Sequence, residues 1–366
     1  PIKKNIGHYI PKNMLTEILD KKEVVKASLY IEQARRIVIL THMAPDGDAM
    51  GSSLAMYHYQ RQSGKETSVS VPTAFPDFLK WMPGATDIII YEKQPETALE
   101  KMNAADLIIC TDFNEPKRIG VLGDKLLMLK ETKDSLRVIM IDHHLYPSNI
   151  ADVILSYPET PSASELVYRL LTQLGPIGID SATCIYTGMM TDTGNFSFNS
   201  NHCDMYQIVR DLVKMGVDKD AVYDQVMNAH TADRMRLVGY CLYKKMRIFP
   251  QEHTALIYLN RKELYRFNFR SGDAEGLVNI PMQIQDIYYS CFMREDKVNA
   301  SEEMLAGGSK TKIKISMRSK GDRPVNTFCH DIFGGGGHKN ASGGEYYGSL
   351  ENAVQLFLDN YKKYNA

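Results

Sequence analysis

The apolar run 37–40, followed at once by ligand-type side chains, is the feature that most constrains this chain. Four consecutive aliphatic residues predict a buried strand. His42, Asp46 and Asp48 come directly after it, and a helical pattern begins near Ser52. Because ligands of open parallel sheets gather at the carboxyl ends of the strands, this turn is a candidate site for a hard divalent cation. The alternative is that the two aspartates only cap the helix, which is a common role of Asp.

Later segments offer further ligand-type side chains. The apolar run 107–110 leads to Asp112, and the apolar run 138–141 leads directly to Asp-His-His at 142–144. A single histidine would more often be a packed or surface residue, but three consecutive ligand-type residues after a buried strand are hard to explain by packing. Asp192 follows a predicted helix, where it is either a turn residue or another ligand.

Together these segments predict a metal site with six side-chain donors. The candidates are His42, Asp46, Asp48, Asp112, His143 and Asp192. One ion would leave several buried carboxylates uncompensated, which is costly, so two ions fit better. Two divalent ions that share a carboxylate can activate water and stabilise the charge that develops on a phosphoryl group. Carboxylate and imidazole donors favour Mn²⁺ and leave Mg²⁺, Fe²⁺ and Co²⁺ open.

Composition excludes several classes of protein. A length of 366 residues predicts about two domains, and a net charge of -1 argues against tight binding of long duplex nucleic acid. The six cysteines contain no Cys-x-x-Cys pair, which argues against a disulfide framework. No secretory leader and no apolar window long enough to span a membrane is evident, so we expect a reduced, cytoplasmic protein without a membrane partner.

The last quarter of the chain carries a second group of candidate residues. Polar and apolar residues alternate over 312–318, which predicts a strand with Lys312, Lys314 and Arg318 on one face. A solvated sheet face is the ordinary explanation for such a pattern. Four consecutive glycines at 334–337 could allow backbone N–H groups to converge on an anion, and we expect a helix to follow them.

Four short motifs of the first half stand in a fixed order. They are His42-x-x-Pro45-Asp46-x-Asp48-Ala49-x-Gly51-Ser52, Asp112, Asp142-His143-His144 and Asp192-Thr193-Gly194. In this order they resemble the four motifs of the DHH phosphoesterase superfamily. Ser197 stands where many relatives of the nanoRNase type carry Arg.

The resemblance implies a role for each motif residue. The first metal ion would be bound by His42, Asp46 and Asp112. The second would be bound by Asp48, Asp112, His143 and Asp192. Asp112 would bridge the ions, Asp142 would support a ligating histidine, and His144 would face the substrate phosphate.

The second half resembles one branch of the superfamily. Ser316-x-Arg318-Ser319, followed by four glycines and His338, is similar to the DHH-associated domain of nanoRNases and linear-dinucleotide phosphodiesterases. The resemblance implies substrate contacts from Arg318, Gly335, Gly336, Gly337 and His338. Three other branches of the superfamily fit less well. The Lys/Arg-rich signature of family II pyrophosphatases is not found, and 366 residues leave little room for the extra DNA-binding regions of RecJ-type nucleases. The N-terminal spans of membrane-bound cyclic-dinucleotide phosphodiesterases are missing.

These observations predict an α/β chain of two domains. We expect a DHH catalytic domain over 1–216 with a mainly parallel sheet flanked by helices, a helical connector over 217–242, and a smaller α/β substrate-binding domain over 243–366. The active site is expected in the interdomain cleft. The expected activity is two-metal hydrolysis of short 5'-phosphorylated RNA, linear dinucleotides such as pApA, or pAp. A soluble cyclic di-AMP phosphodiesterase and a non-catalytic RNA-binding relative remain alternatives, and a homodimer is left open.

Overall fold

The apolar runs of the first half assemble into a single parallel sheet. In the computed structural model, which describes residues 15–270, 272–298 and 311–364, the chain divides into two units, Pro1–Ala229 and His230–Ala366. The strands of the first unit are β1 (Arg36–Leu40), β2 (Glu66–Val71), β3 (Ile89–Ile90), β4 (Leu107–Thr111), β5 (Arg137–Asp142) and β6 (Val153–Ser156). Their spatial order is β3-β2-β1-β4-β5-β6, and every neighbouring pair is parallel. The strand order therefore reverses between β1 and β4, where doubly wound sheets bind their ligands.

Helices cover both faces of this sheet. They are α1 (Lys21–Gln33), α2 (Gly47–Gln62), α3 (Pro95–Ala104), α4 (Val121–Thr132), α5 (Ala163–Leu174), α6 (Ile179–Asp192), α7 (Cys203–Lys214) and α8 (Lys219–Met227). Side chains of β1 alternate between two hydrophobic cores, with Ile37 and Ile39 in one and Val38 and Leu40 in the other. Burial on both faces explains why the strands are continuously apolar in sequence.

Glycines permit α2 to pack directly against α6. A methyl group on Gly51 would lie 2.7 Å from the carbonyl oxygen of Cys184 and 2.8 Å from the Cα atom of Gly188. A methyl group on Gly188 would overlap the Ser164 hydroxyl and lie 2.8 Å from Asp48 Oδ1. The small residues at this crossing therefore set how closely the helix that carries Asp48 approaches α6.

A predicted boundary in the first unit is shifted. The helix predicted from Ser52 begins five residues earlier, at Gly47, because the Asp46 side chain caps it by accepting from the backbone of Asp48 and Ala49.

The segment 217–242, expected as a helical connector, contains two separate helices. The helix α8 ends at Met227, and α9 (Ala232–Tyr240) begins after Thr231, whose side chain accepts a hydrogen bond from Arg234 N. The boundary between the two units lies in this break, inside the predicted connector 217–242.

The second unit contains a mixed six-stranded sheet. Its strands are β7 (Arg247–Phe249), β8 (Thr254–Leu259), β9 (Tyr289–Lys297), β10 (Thr311–Ser319), β11 (Gly336–His338) and β12 (Ala341–Tyr347). Their spatial order is β11-β12-β10-β9-β8-β7, and only the β8–β9 pair is parallel. The remaining helices are α10 (Arg261–Arg266), α11 (Asn326–Phe333) and α12 (Leu350–Tyr364). The α/β class expected for both parts of the chain is confirmed.

The strand predicted at 312–318 forms β10, but its polar face is not simply solvated. Lys312 is only 5% exposed, and its Nζ lies 3.4 Å from Glu345 Oε1. Lys314 Nζ lies 3.6 Å from Asp296 Oδ2. Carboxylates on the neighbouring strands thus offset the positive charges of this face.

The glycine run is followed by a strand, and the expected helix after it is wrong. Gly334 ends α11 in a left-handed conformation with φ 60°, and the chain then enters β11, which pairs with β12. A Cβ atom on Gly335 would overlap the carbonyl oxygen of Gly343. Close backbone packing therefore accounts for at least part of the glycine run. Among the described residues, no helix is both long enough and apolar enough to cross a membrane.

Substitution of Gly51 by Ala tests the α2–α6 crossing. The added methyl group meets backbone atoms, so Gly51→Ala should destabilise the protein by about 1 to 3 kcal/mol and lower the midpoint of thermal unfolding. Gly239→Ala is the control, since this helical glycine has open space around its Cα atom and should gain up to about 1 kcal/mol of helix stability. Equal midpoints for the two variants would contradict the packing argument.

Candidate metal centre

The predicted metal ligands meet beside the carboxyl ends of β1, β4 and β5. His42 and Asp46 follow β1, and Asp112 follows the adjacent strand β4. The other three candidates are Asp48 in the first turn of α2, His143 after β5, and Asp192 as the last residue of α6. Asp192 thus ends the helix and does not occupy a separate turn.

Hydrogen bonds to the main chain orient both central imidazoles. His42 Nδ1 lies 2.9 Å from the carbonyl oxygen of Met43, and His143 Nδ1 lies 3.2 Å from that of Thr160. Because a carbonyl can only accept, we assign the proton of each neutral ring to Nδ1. The Nε2 atoms then present lone pairs toward the carboxylates, as in histidines that bind metals.

Asp112 lies between the two rings. Its Oδ2 is 3.4 Å from His42 Nε2, and its Oδ1 is 3.3 Å from His143 Nε2. The side chain is 2% exposed, and its buried Oδ1 has no hydrogen-bond donor. Burial by itself would raise the pKa of Asp112, but the positive charges of the two imidazoles, when both are protonated, hold it well below its usual range. A buried carboxylate with an unsatisfied oxygen suits a bridging cation.

The remaining carboxylates surround these two rings. His42 Nε2 is 4.0 Å from Asp46 Oδ1, whereas His143 Nε2 is 3.5 Å from Asp192 Oδ2 and 3.8 Å from Asp48 Oδ2. Ligand atoms of His42, Asp46 and Asp112 lie within 4.8 Å of one another, and so do those of Asp48, His143 and Asp192. The geometry thus forms two groups of donors with Asp112 in contact with both.

The N-terminus of α5 donates hydrogen bonds to the Asp48 carboxylate. The backbone N–H groups of Ala163 and Ser164 donate to its two oxygens at 2.6 and 2.9 Å. Helix N-termini favour negative charge, so this contact orients the carboxylate and partly offsets its charge. Sequence reasoning did not identify this contact, although the capping residue Ser162 marks the start of the helix.

The cluster carries more negative charge than its own histidines neutralise. Burial and the neighbouring Asp112 raise the pKa of Asp48 to about 7. Desolvation within the cluster, together with nearby carboxylates, also raises the pKa of Asp192 well above its usual range. Both shifts indicate uncompensated negative charge, which a divalent cation would relieve. The oxygen and imidazole donors therefore fit divalent metal ions.

Asp142 orients His144. Its Oδ1 lies 2.8 Å from His144 Nδ1, and its Oδ2 accepts a hydrogen bond of 3.0 Å from the backbone N–H of His144. Burial lowers the pKa of His144 in spite of this carboxylate, and the positive charge of Arg118 lowers it further. Sequence reasoning missed Arg118, which stands six residues after Asp112 in the loop that follows β4.

The predicted substrate residues lie in the second unit. Arg318 in β10 and His338 in β11 both pair with Ala341 of β12, so they occupy one row across three strands. Arg318 Nη1 also donates to the carbonyl oxygen of Met317 at 2.9 Å. The glycines 335–337 lie beside this row, which brings the predicted substrate residues together within their own unit.

Comparisons with known proteins agree with this fold. Residues 36–189 match the model of the DHH family, N-terminal domain. The bifunctional oligoribonuclease and PAP phosphatase NrnA of Thermus thermophilus is 27% identical over 327 residues, which are 88% of this chain and 88% of that protein. The cyclic-di-AMP phosphodiesterase PdeA of Listeria monocytogenes is 26% identical over 182 residues, 46% of this chain and 26% of that protein.

A solved structure is similar over nearly the whole chain. The crystal structure of an exopolyphosphatase-related protein from Bacteroides fragilis is 43% identical, with a TM-score of 0.85, and the match covers 96% of this chain and 98% of that chain. Its similarity extends across both units. Together with the matched family model, it shows that this chain belongs to the DHH family.

Proposed function

We propose that this protein is a two-metal phosphoesterase that hydrolyses short 5'-phosphorylated oligoribonucleotides, linear dinucleotides such as pApA, or pAp to mononucleotides. The observation that carries the proposal is the position of Asp112, whose two oxygens each face an imidazole of a different donor group. Such a carboxylate is suited to bridge two cations about 3.5 to 4 Å apart. We propose Mn²⁺ as the native ion, with Mg²⁺, Fe²⁺ and Co²⁺ as alternatives.

The proposed ligands follow the two donor groups. The first ion would be bound by His42, Asp46 and Asp112, and the second by Asp48, Asp112, His143 and Asp192. When bound, these ions would supply Lewis-acid stabilisation of the charge that develops on the phosphoryl group.

The protein's own groups would position the substrate. Asp142 fixes the His144 ring through Nδ1, so the ring, once protonated, would donate to the substrate phosphate through Nε2. In the second unit, the Arg318 guanidinium is proposed to bind a substrate phosphate, with His338 in the same row of the sheet. The planar fork of arginine suits phosphate oxygens because it can donate two parallel hydrogen bonds.

The similarity to NrnA supports short RNA and pAp as substrates, because that match extends over most of both chains. A cyclic di-AMP phosphodiesterase is the second candidate. It is supported by the partial match to PdeA, which covers 46% of this chain. A non-catalytic RNA-binding relative is less well supported, because the donor set includes every ligand that the family motifs require.

A hydrolysis panel tests the proposed function. The purified chain with Mn²⁺ should convert pApA and a short 5'-phosphorylated RNA to mononucleotides, release phosphate from pAp, and act more slowly on cyclic di-AMP. Products are resolved by chromatography. Asp112→Asn is the control, and it should lose about a thousandfold or more of the rate because it removes the bridging charge but keeps the shape. Equal turnover by the folded variant would contradict the two-metal assignment, and faster cleavage of cyclic di-AMP would favour the second candidate.

Substitutions in the Asp-His-His triplet separate metal binding from substrate contact. His143→Ala should lower the metal content of the purified protein, because His143 Nε2 faces three carboxylates of the donor groups. His144→Ala should keep nearly all of the metal but lose turnover. Elemental analysis and steady-state kinetics on the same samples give both quantities. Equal metal loss in the two variants would reject this division of roles.

Arg318→Ala tests whether the second unit recognises the nucleotide. A charge-assisted contact is worth about 1.5 to 3 kcal/mol, so KM for pApA should rise about ten- to a hundredfold. KM for a small generic phosphodiester that needs only the metal centre should change little. Unchanged kinetics on both substrates would assign Arg318 to the sheet surface alone, whereas equal losses on both would indicate a general structural defect.

A further inference from the structure

The loop between β4 and α4 is hydrogen-bonded to both neighbouring loops of the metal centre. On one side, Met43 N donates to the carbonyl oxygen of Arg118 at 2.9 Å, directly after His42. On the other side, Asn114 Nδ2 donates to the carbonyl oxygen of Leu145 at 2.7 Å, directly after His144. The backbone N–H of Ser148 returns a bond of 2.8 Å to the carbonyl oxygen of Asn114. Arg118 is therefore held on a loop that runs between the segments carrying His42 and His144.

The side chain of Arg118 is half-buried. Within the described ranges, its guanidinium makes no ion pair and no hydrogen bond. The arginine at position 169 shows the usual arrangement, since buried Arg169 lies 2.7 Å from Glu165 and 3.1 Å from Asp204. Partial burial of a guanidinium without a partner costs free energy. A bound anion would recover this cost, so an unpaired, half-buried arginine suits an anion-binding site.

Arg118 lies next to the metal centre. Its carbonyl oxygen accepts from Met43 N at 2.9 Å, one residue after His42, which places the Arg118 residue beside the first donor group. The Asp112 carboxylate lies between the His42 and His143 imidazoles and, among the described residues, forms no ion pair with Arg118. The geometry therefore leaves Arg118 beside the centre with its donors available to a ligand.

We propose that Arg118 binds a phosphate oxygen of the nucleotide substrate from the first unit. The inference rests on the proposed function and adds a substrate-binding residue that lies outside the four metal-binding motifs. The guanidinium suits this role because it stays protonated and its fork can meet two oxygens of one phosphate group. It would hold the anion on the side of the metal centre formed by the β4–α4 loop.

A purely electrostatic role makes a different prediction. If Arg118 only balanced the surrounding carboxylates, its removal would strengthen the binding of divalent cations and leave the binding of nucleotide unchanged. If it binds phosphate, its removal weakens nucleotide binding and leaves metal content unchanged. The two roles therefore separate in measurements that do not depend on turnover.

The test uses AMP binding to the full chain loaded with Mn²⁺. Arg118→Met keeps much of the side-chain length, Arg118→Lys keeps the charge, and Lys117→Met is the control, because Lys117 is exposed and pairs with Glu115 at 2.7 Å. Calorimetric titration with AMP gives Kd, and elemental analysis gives metal content. Arg118→Met should weaken AMP about ten- to a hundredfold and raise KM for pApA similarly. Arg118→Lys should recover part of this loss, and Lys117→Met should match the wild type.

The outcomes keep this proposal apart from the proposed function. Unchanged AMP affinity in Arg118→Met, or loss of AMP binding in step with loss of metal, would overturn the role of Arg118. If Arg118→Met does not fold, Arg118→Lys decides, since a bidentate contact predicts weaker AMP binding and an electrostatic role predicts no change. A wild-type protein that cleaves none of the panel substrates but binds AMP through Arg118 would refute the proposed function alone.

Discussion

The contact of Asp112 with two imidazoles is the interaction around which the first unit is arranged. It requires β1 and β4 to be neighbours, because His42 follows one strand and Asp112 the other. It also requires a left-handed backbone at Asp112, with φ 61°, which allows its N–H to reach the carbonyl oxygen of Ile141 on β5. Aspartate tolerates this conformation better than most residues. The carboxylate is thus fixed by the sheet as well as by its own neighbours.

Several other features compensate for concentrating negative charge at this point. The start of α5 donates two N–H groups to Asp48, and the two carbonyls that accept from Nδ1 orient His42 and His143. These contacts hold the donors in place, but they do not neutralise them, as the raised pKa values of Asp48 and Asp192 indicate. Divalent cations would therefore balance the negative charge of this site. The glycine crossing of α2 and α6 serves the same arrangement, because it sets the separation of the helices that carry these two aspartates.

The second unit places several positively charged side chains on one face of its sheet. Carboxylates on β9 and β12 pair with Lys312 and Lys314. Arg318 lies further along the same strand, in a row with Ala341 and His338. The glycines beside this row allow the backbones of β11 and β12 to approach closely. Their small size therefore has a structural explanation that does not depend on an anion.

The sequence by itself determined the buried strands, the six candidate ligands and the family resemblance, because apolar runs and ligand spacing are local patterns. Tertiary structure decided which donors share a group, and it decided that Asp46 caps α2 while facing His42. It also revealed Arg118 beside the centre, as well as the strand that follows the glycine run. These features depend on contacts between residues far apart in sequence, such as Ala163 and Asp48, which are 115 residues apart. No local periodicity encodes such contacts, because only the packing of the sheet and its helices brings the partners together.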